Sequence, residues 1–132
     1  MRLETRPVGS TYAYEESTVS DLNWGSSGLR LVVEYWNRTD SADRRFVEYY
    51  FGGAARFRVL EEIDLVNFWS RGVHASGHLL FEVLAGGWLT FDASGERLFT
   101  FLTKAGTQEW IIYTSNWSAS VISSGLPRIR DL

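Results

Sequence analysis

The sequence predicts an α+β domain in which one strongly curved, mostly antiparallel sheet of about eight strands, half-barrel or barrel-like, wraps over one short amphipathic helix. Two observations predict this fold class. Short runs rich in aromatic and β-branched residues recur along the chain, with glycine pairs or polar turns between them. Residues 61–70 instead combine acidic residues with an apolar stripe, which is typical of a helix.

The composition limits both the domain count and the function. With 132 residues, the chain is expected to form a single domain, residues 1–132. Because it has no cysteine, disulfides, thiolate metal sites and thiol nucleophiles are excluded. The net charge of −3 argues against nucleic-acid binding, which needs a basic surface. The start, MRLETRPVGS, has no apolar signal region and no stretch is long enough to span a membrane, so we expect a cytoplasmic protein without a membrane partner.

Alternation with a period of two predicts the strands in the first part of the chain. Residues 11–16 (TYAYEE) are predicted as an edge strand, and residues 29–36 (LRLVVEYW) as a central strand. Residues 17–28 are rich in Ser, Asp, Asn and Gly and are predicted as a loop that holds Trp24. The polar residues 37–44 are predicted as a connection.

The predicted nucleus of the fold comes next. Residues 45–51 and 54–60 alternate as two strands, and Gly52 and Gly53 would supply the positive φ angles of a two-residue hairpin turn between them. The helix predicted over residues 61–70 would place its acidic first turn at the unpaired N–H groups of a helix start.

The second half repeats the pattern of strand, glycine turn and strand. Five strands are predicted there, at residues 79–84, 88–92, 98–103, 109–114 and 117–123. Pro127 would close the tail. Together with the first half, these strands predict the curled antiparallel sheet.

No residue pattern identifies a cofactor or a metal site. His74, His78 and Glu82 are spaced by four residues, which would align metal ligands on a helix. Gly72 and Gly77 disfavour a helix there, so a loop with two ordinary histidines is the better interpretation. No glycine-rich phosphate-binding motif or catalytic triad motif is present, and we expect no cofactor.

Three strand carboxylates are candidates for catalysis, whereas Glu61, Glu62 and Asp64 are better interpreted as the charged first turn of the predicted helix. Glu48, Glu82 and Asp92 each lie in an otherwise apolar predicted strand, where burial would raise the pKa and could prepare a general acid. A carboxylate in a strand more often lies on the solvent-facing side. The sequence therefore favours a protein without enzymatic activity.

Large aromatic residues favour a binding role. Alternation would place some of the strand tryptophans away from the core, and exposed aromatic residues near charges mark interfaces. Arg56 and Arg58 lie on the predicted polar face of their strand. The candidate residues for an interface or a ligand site are Trp36, Trp88, Trp110, Trp117, Arg56 and Arg58.

The run LFEVLAGGWLTF, followed by a strand pair and the tail SVISSGLPRI, resembles small bacterial domains that include immunity proteins of contact-dependent and polymorphic toxin systems. The resemblance covers roughly the second half of the chain. It implies a protein without enzymatic activity that binds and blocks a cognate toxin. The partner would then be another protein, or a second copy in a homodimer.

An alternative function is a small-molecule-binding barrel whose aromatic interior holds an apolar ligand, and which uses strand carboxylates if it is an enzyme. The two functions predict different structures. A deep pocket lined by Tyr, Trp and a buried carboxylate would favour the barrel. A packed interior with exposed aromatic residues would favour protein binding.

Overall fold

A computed structural model of the protein describes residues 4–61, 77–85, 87 and 106–132. These residues form nine strands, and no helix is present among them. In chain order the strands are β1 (Glu4–Val8), β2 (Glu16–Gly25), β3 (Gly28–Asn37), β4 (Asp40–Phe51), β5 (Ala54–Glu61), β6 (Leu80–Ala85), β7 (Gln108–Ile112), β8 (Trp117–Ser123) and β9 (Arg128–Asp131). Within this part of the chain, no helix is long and apolar enough to cross a membrane.

The strands form two antiparallel sheets that pack face to face. The first has the order β1-β6-β7-β8-β5 and the second β2-β3-β4-β9. Both sheets contribute side chains to one buried cluster, in which the rings of Phe51 and Trp110 lie 6.5 Å apart. The architecture of the described chain is therefore a β-sandwich, with a core between two layers of alternating apolar residues.

The predicted α+β fold with a curled sheet and a helix is wrong. The described chain is all sheet, and neither sheet closes into a barrel. Glu61, predicted to begin the helix, is the last residue of β5 and pairs with Trp117 of β8. It continues the alternation of Phe57 and Val59, so the acidic residue ends a strand. The rest of the predicted helix lies outside the described residues.

The predicted hairpin at Gly52 and Gly53 is also wrong. β4 pairs with β3 and β9, whereas β5 pairs with β8, so the chain passes from one sheet to the other at this point. Neither glycine has a positive φ angle. A Cβ atom on Gly53 would lie against the side chain and the backbone nitrogen of Ser124, so the two segments pack closely here. A glycine pair between two strands indicates a turn, but it does not say that the strands pair.

The strand predictions fail most clearly near the amino terminus. Residues 11–14 are not in a strand, and most of the predicted loop at residues 17–28 is strand β2. A register shift lies between Val19 and Asp21, so Val19 and Leu22 both pack on the core although they are three residues apart. This bulge breaks the period-two pattern that predicts a strand.

Candidate functional site

One side of the sandwich leaves its apolar interior exposed, where the edge strands β2 and β5 approach each other. The ring of Trp24 on β2 lies 5.3 Å from the ring of Phe57 on β5. Trp24 is 48% exposed, Val59 is 40% exposed and Trp117 is 45% exposed. We refer to Trp24, Phe57, Val59 and Trp117 as the open edge.

The open edge is built on rigid strands. Phe57 and Val59 alternate along β5, and Trp117 lies on the same face of β8 as the buried Ala119. The amide of Trp117 donates a hydrogen bond of 3.4 Å to the Oγ1 of Thr18, which joins the two sheets here. The strands and this hydrogen bond therefore hold the apolar side chains in position within the chain itself.

A second pair of hydrogen bonds holds the sheets together beside the open edge. The amide of Ser17 donates to the Oγ of Ser115 over 2.8 Å, and the amide of Ser115 donates to the Oγ of Ser17 over 3.1 Å. The Oγ of Ser115 also donates to the Oε2 of Glu16 over 2.9 Å. Hydrogen bonds to Arg38 and to Ser115 lower the pKa of Glu16.

Trp36 lies away from the open edge, on the outer face of the four-stranded sheet. The guanidinium of Arg44 lies 4.2 Å from the centroid of its ring and also contacts Glu34 at 2.8 Å. A cation over an aromatic face is a favourable contact that fixes the position of the ring. Trp36 is therefore a half-buried residue among charged neighbours.

The other predicted interface residues do not come together. Trp110 is 0% exposed and belongs to the core, so it cannot contribute to a surface. Arg56 and Arg58 lie on the face of β5 opposite to Phe57, beside Ile122 and Ser120 of β8. Trp88 lies outside the described residues. Of the predicted set, only Trp117 is part of the open edge.

Glu48 is buried, but two arginines bind its carboxylate, and its pKa changes in the direction opposite to the predicted one. The Nε of Arg30 and, at 3.3 Å, the Nη2 of Arg130 donate to its Oε2. The hydrogen bond from Arg30 holds the pKa of Glu48 below its ordinary value, and this effect outweighs the desolvation that would raise it. The prediction of a raised pKa is wrong for Glu48, which stays ionised at neutral pH and is not a proton donor.

Glu82 is the other carboxylate of the predicted set that the structure describes, and an arginine binds it. The Nη2 of Arg6 lies 2.5 Å from the Oε1 of Glu82, so this carboxylate forms an ion pair. Asp92 and His74 lie outside the described residues, and the ring of His78 lies 6.4 Å from the ring of Phe81. Among the residues that the structure describes, no three side chains of His, Asp or Glu are grouped as a metal would require.

Glu109 is a buried carboxylate that the sequence did not single out. Its Oε2 accepts a hydrogen bond of 3.1 Å from the Oγ of Ser120, and a Cβ atom on Gly87 would lie 2.6 Å from its Oε1. A glutamate at the start of a strand is usually in solvent. The one signal in the sequence was the alternation that makes Glu109 and Ile111 share a face.

A cleft of about 320 Å³ lies at the end of the sandwich where β3 turns into β4. Its walls combine aromatic rings with polar groups, from Tyr12, Tyr35, Trp36, Asn37, Asp43 and Arg45. The rings of Tyr12 and Tyr35 lie 5.1 Å apart, and the Tyr12 hydroxyl donates to the Oδ1 of Asp131 over 3.1 Å. Burial and this hydrogen bond raise the pKa of Tyr12 to about 12, so its hydroxyl stays protonated.

The chain matches no protein-family model, no curated protein and no solved structure. The open edge and the cleft are therefore interpreted from their geometry.

Neither site was predicted as a whole from the sequence, and the reason is the same for both. The open edge joins β2, β5 and β8, and the cleft joins the segment before β2 to the ends of β3 and β4. No local pattern links segments so far apart. The sequence offered single residues as signals: Trp117 for the open edge and Trp36 for the cleft were among the candidates, and Trp24 is a large aromatic residue among polar neighbours.

Proposed function

We propose that the chain is a protein-binding module without enzymatic activity, and that the open edge contacts its partner. The observation that carries this proposal is the contrast between a packed interior and aromatic residues that stay exposed on one side. Trp110 and Phe51 are fully buried between the sheets, whereas Trp24 and Trp117 are not. Contiguous exposed apolar side chains mark protein interaction sites.

The edge strands support a particular mode of binding. Among the described residues, β5 is the last strand of its sheet, and its apolar face meets the open edge. An extended segment of a partner added beside β5 would bond to its backbone and place alternate apolar side chains beside Phe57 and Val59, with Trp117 behind them on β8. Burial of these side chains would supply affinity, and the matching alternation would supply specificity.

The other functions have less support. A general acid needs a raised pKa, whereas the hydrogen bond from Arg30 lowers the pKa of Glu48. A barrel with an apolar ligand inside needs a closed sheet and an empty interior. Within the described ranges neither sheet closes, and large side chains fill the space between the two sheets.

The immunity-type inhibitor is the most specific form of this proposal, with a toxin as the partner and the cytoplasm as the place of action. A homodimer through the same edge is the other partner that we consider. The net charge of −3 does not form the basis of recognition, because acidic side chains such as Glu34 and Glu48 are paired with arginines. Apolar contact at the open edge would supply most of the affinity.

The test is native mass spectrometry of the protein purified from its own host, as wild type and as two matched variants. Val59→Arg places a charge in the open edge, whereas Leu126→Arg places the same charge at an exposed leucine on the β8–β9 connection. We expect a stoichiometric partner, or a second copy, with wild type and Leu126→Arg but not with Val59→Arg. A partner retained by both variants, or a wild-type protein that is always monomeric, would contradict the proposal.

A further inference from the structure

We propose that the cleft between the segment before β2 and the β3–β4 turn binds a small, uncharged, polyhydroxylated ring, such as the ring of a saccharide. This inference is independent of the open edge, because the cleft involves none of its residues. It concerns the face of the sandwich end that is lined by Tyr12, Tyr35, Trp36, Asn37, Asp43 and Arg45.

Tyr12 and Trp36 supply most of the exposed aromatic surface of the cleft, because Tyr35 is only 8% exposed and Arg44 covers one face of the Trp36 ring. Tyr12 and Tyr35 lie against each other at 5.1 Å, and the Trp36 ring is fixed by Arg44 at 4.2 Å. The C–H face of a sugar ring packs on such surfaces, while its hydroxyl groups stay free for hydrogen bonds. Ligand sites commonly combine aromatic walls with a few polar groups that set the orientation.

The polar groups favour a neutral ligand. Asp43 and Arg45 both line the cleft, and the Nη2 of Arg45 lies 3.6 Å from the Oδ2 of Asp43. A charged ligand that approached one of them would meet a like charge at the other. Neighbouring hydroxyl groups avoid this conflict, since one can donate to the carboxylate and the next can accept from the guanidinium. The amide of Asn37 can both donate and accept.

The cleft is held in shape by the backbone. The amide of Tyr12 donates to the carbonyl of Gly77 over 2.8 Å, and the amide of Glu15 donates to the carbonyl of Trp36 over 3.1 Å. Gly77 has a φ angle of +81°, and a Cβ atom there would lie 3.1 Å from the carbonyl oxygen of Tyr12. A preformed site loses less entropy on binding. The volume of about 320 Å³ is near the lower end for ligand sites, which suits one or two rings.

Saturation-transfer NMR and calorimetry on the full chain would test this inference. The neutral probes are glucose, galactose, mannose and N-acetylglucosamine with their simple disaccharides, and the charged probes are glucosamine, glucuronate and inorganic phosphate. We expect at least one neutral saccharide to bind, with saturation transferred to its ring protons. Trp36→Ala should weaken that binding by about tenfold, the size of one lost aromatic contact.

Matched variants separate the cleft from general effects. Arg45→Gln changes an exposed side chain and keeps the fold, so it should also weaken the saccharide, whereas Arg128→Gln at another exposed arginine should not. Trp117→Ala on the open edge should leave binding unchanged. The inference is overturned if no neutral saccharide binds, if a charged probe binds more tightly, or if the two control variants weaken binding as much as Arg45→Gln.

Discussion

Trp110 and Trp117 lie on neighbouring strands of one sheet and on the face that carries the core, yet one is fully buried and the other is about half exposed. The four-stranded sheet explains the difference. Phe51 covers Trp110 from the opposite layer, whereas Trp117 lies beside the edge strand β2, where that layer ends. Alternation along a strand therefore determines which face a side chain takes, but it does not determine whether another layer covers that face.

The largest expected effect is the difference in unfolding free energy between alanine variants of these two tryptophans. Trp110→Ala removes a ring that is buried on all sides, so it should lower the free energy of unfolding by about 3–5 kcal/mol. Trp117→Ala removes an exposed ring and leaves its backbone hydrogen bond to Thr18, so the loss should be about 1 kcal/mol or less. Urea denaturation followed by circular dichroism measures both. Similar losses for the two variants would refute the difference in cover.

The next largest effect is expected in the β2–β3 hairpin. It contains two glycines and lies between a strand of the open edge and a strand of the core. Gly28 has a φ angle of +129°, and a Cβ atom there would lie 2.6 Å from the carbonyl oxygen of Phe51. We expect Gly28→Ala to cost about 1–3 kcal/mol of unfolding free energy. Gly25 has open space around its Cβ position, so Gly25→Ala is the matched control with a small effect. Thermal unfolding of the two variants would rank them, and equal midpoints would contradict the assigned contact.

Smaller losses of unfolding free energy are expected for two glutamates of the four-stranded sheet, one buried and one nearer to solvent. Glu48 is buried under Arg30 and Arg130, while Glu34 pairs with Arg44 nearer to solvent. Glu48→Gln should cost about 1–2 kcal/mol, because charged hydrogen bonds are lost but the arginines remain hydrated. Glu34→Gln should cost about 1 kcal/mol or less.

The contribution of Glu48 to the free energy of unfolding should depend on pH. Because the pKa of Glu48 is lower in the folded protein, its contribution is full above the ordinary value of 4.5 and is lost as the pH falls through the folded value. Unfolding free energies at a series of pH values should therefore fall more steeply in acid for wild type than for Glu48→Gln. Parallel curves would show that Glu48 does not contribute in this way.

The sequence predicted individual strands far better than their arrangement. Residues 117–123 were predicted with the bounds that β8 has, because alternation is a local property. The strand β2 was missed because a bulge shifts its phase, and β1 was missed because Pro7 is typical of an irregular segment. Which strands pair depends on contacts between distant segments, so the glycine pair after Phe51 gave a false hairpin.

The candidate sites were harder to predict for a related reason. Trp110 and Trp117 were grouped as candidate interface residues because alternation would turn some strand tryptophans away from the core. Both lie on the core face, and no strand pattern shows where the opposite sheet ends. The lowered pKa of Glu48 depends on Arg30 of β3 and Arg130 of β9, which lie far apart along the chain. A buried carboxylate can be suspected from an apolar strand, but the cation that pairs with it cannot.

The most direct test of the open edge is hydroxyl-radical footprinting of the free protein and of the native complex from its host. The side chains of Trp24 and Trp117 should be oxidised in the free protein and protected in the complex. Trp110 should stay unreactive in both states, and the exposed Leu126 should react equally in both. Protection of Leu126 with Trp24 and Trp117 still reactive would contradict the account, since the partner would then bind elsewhere.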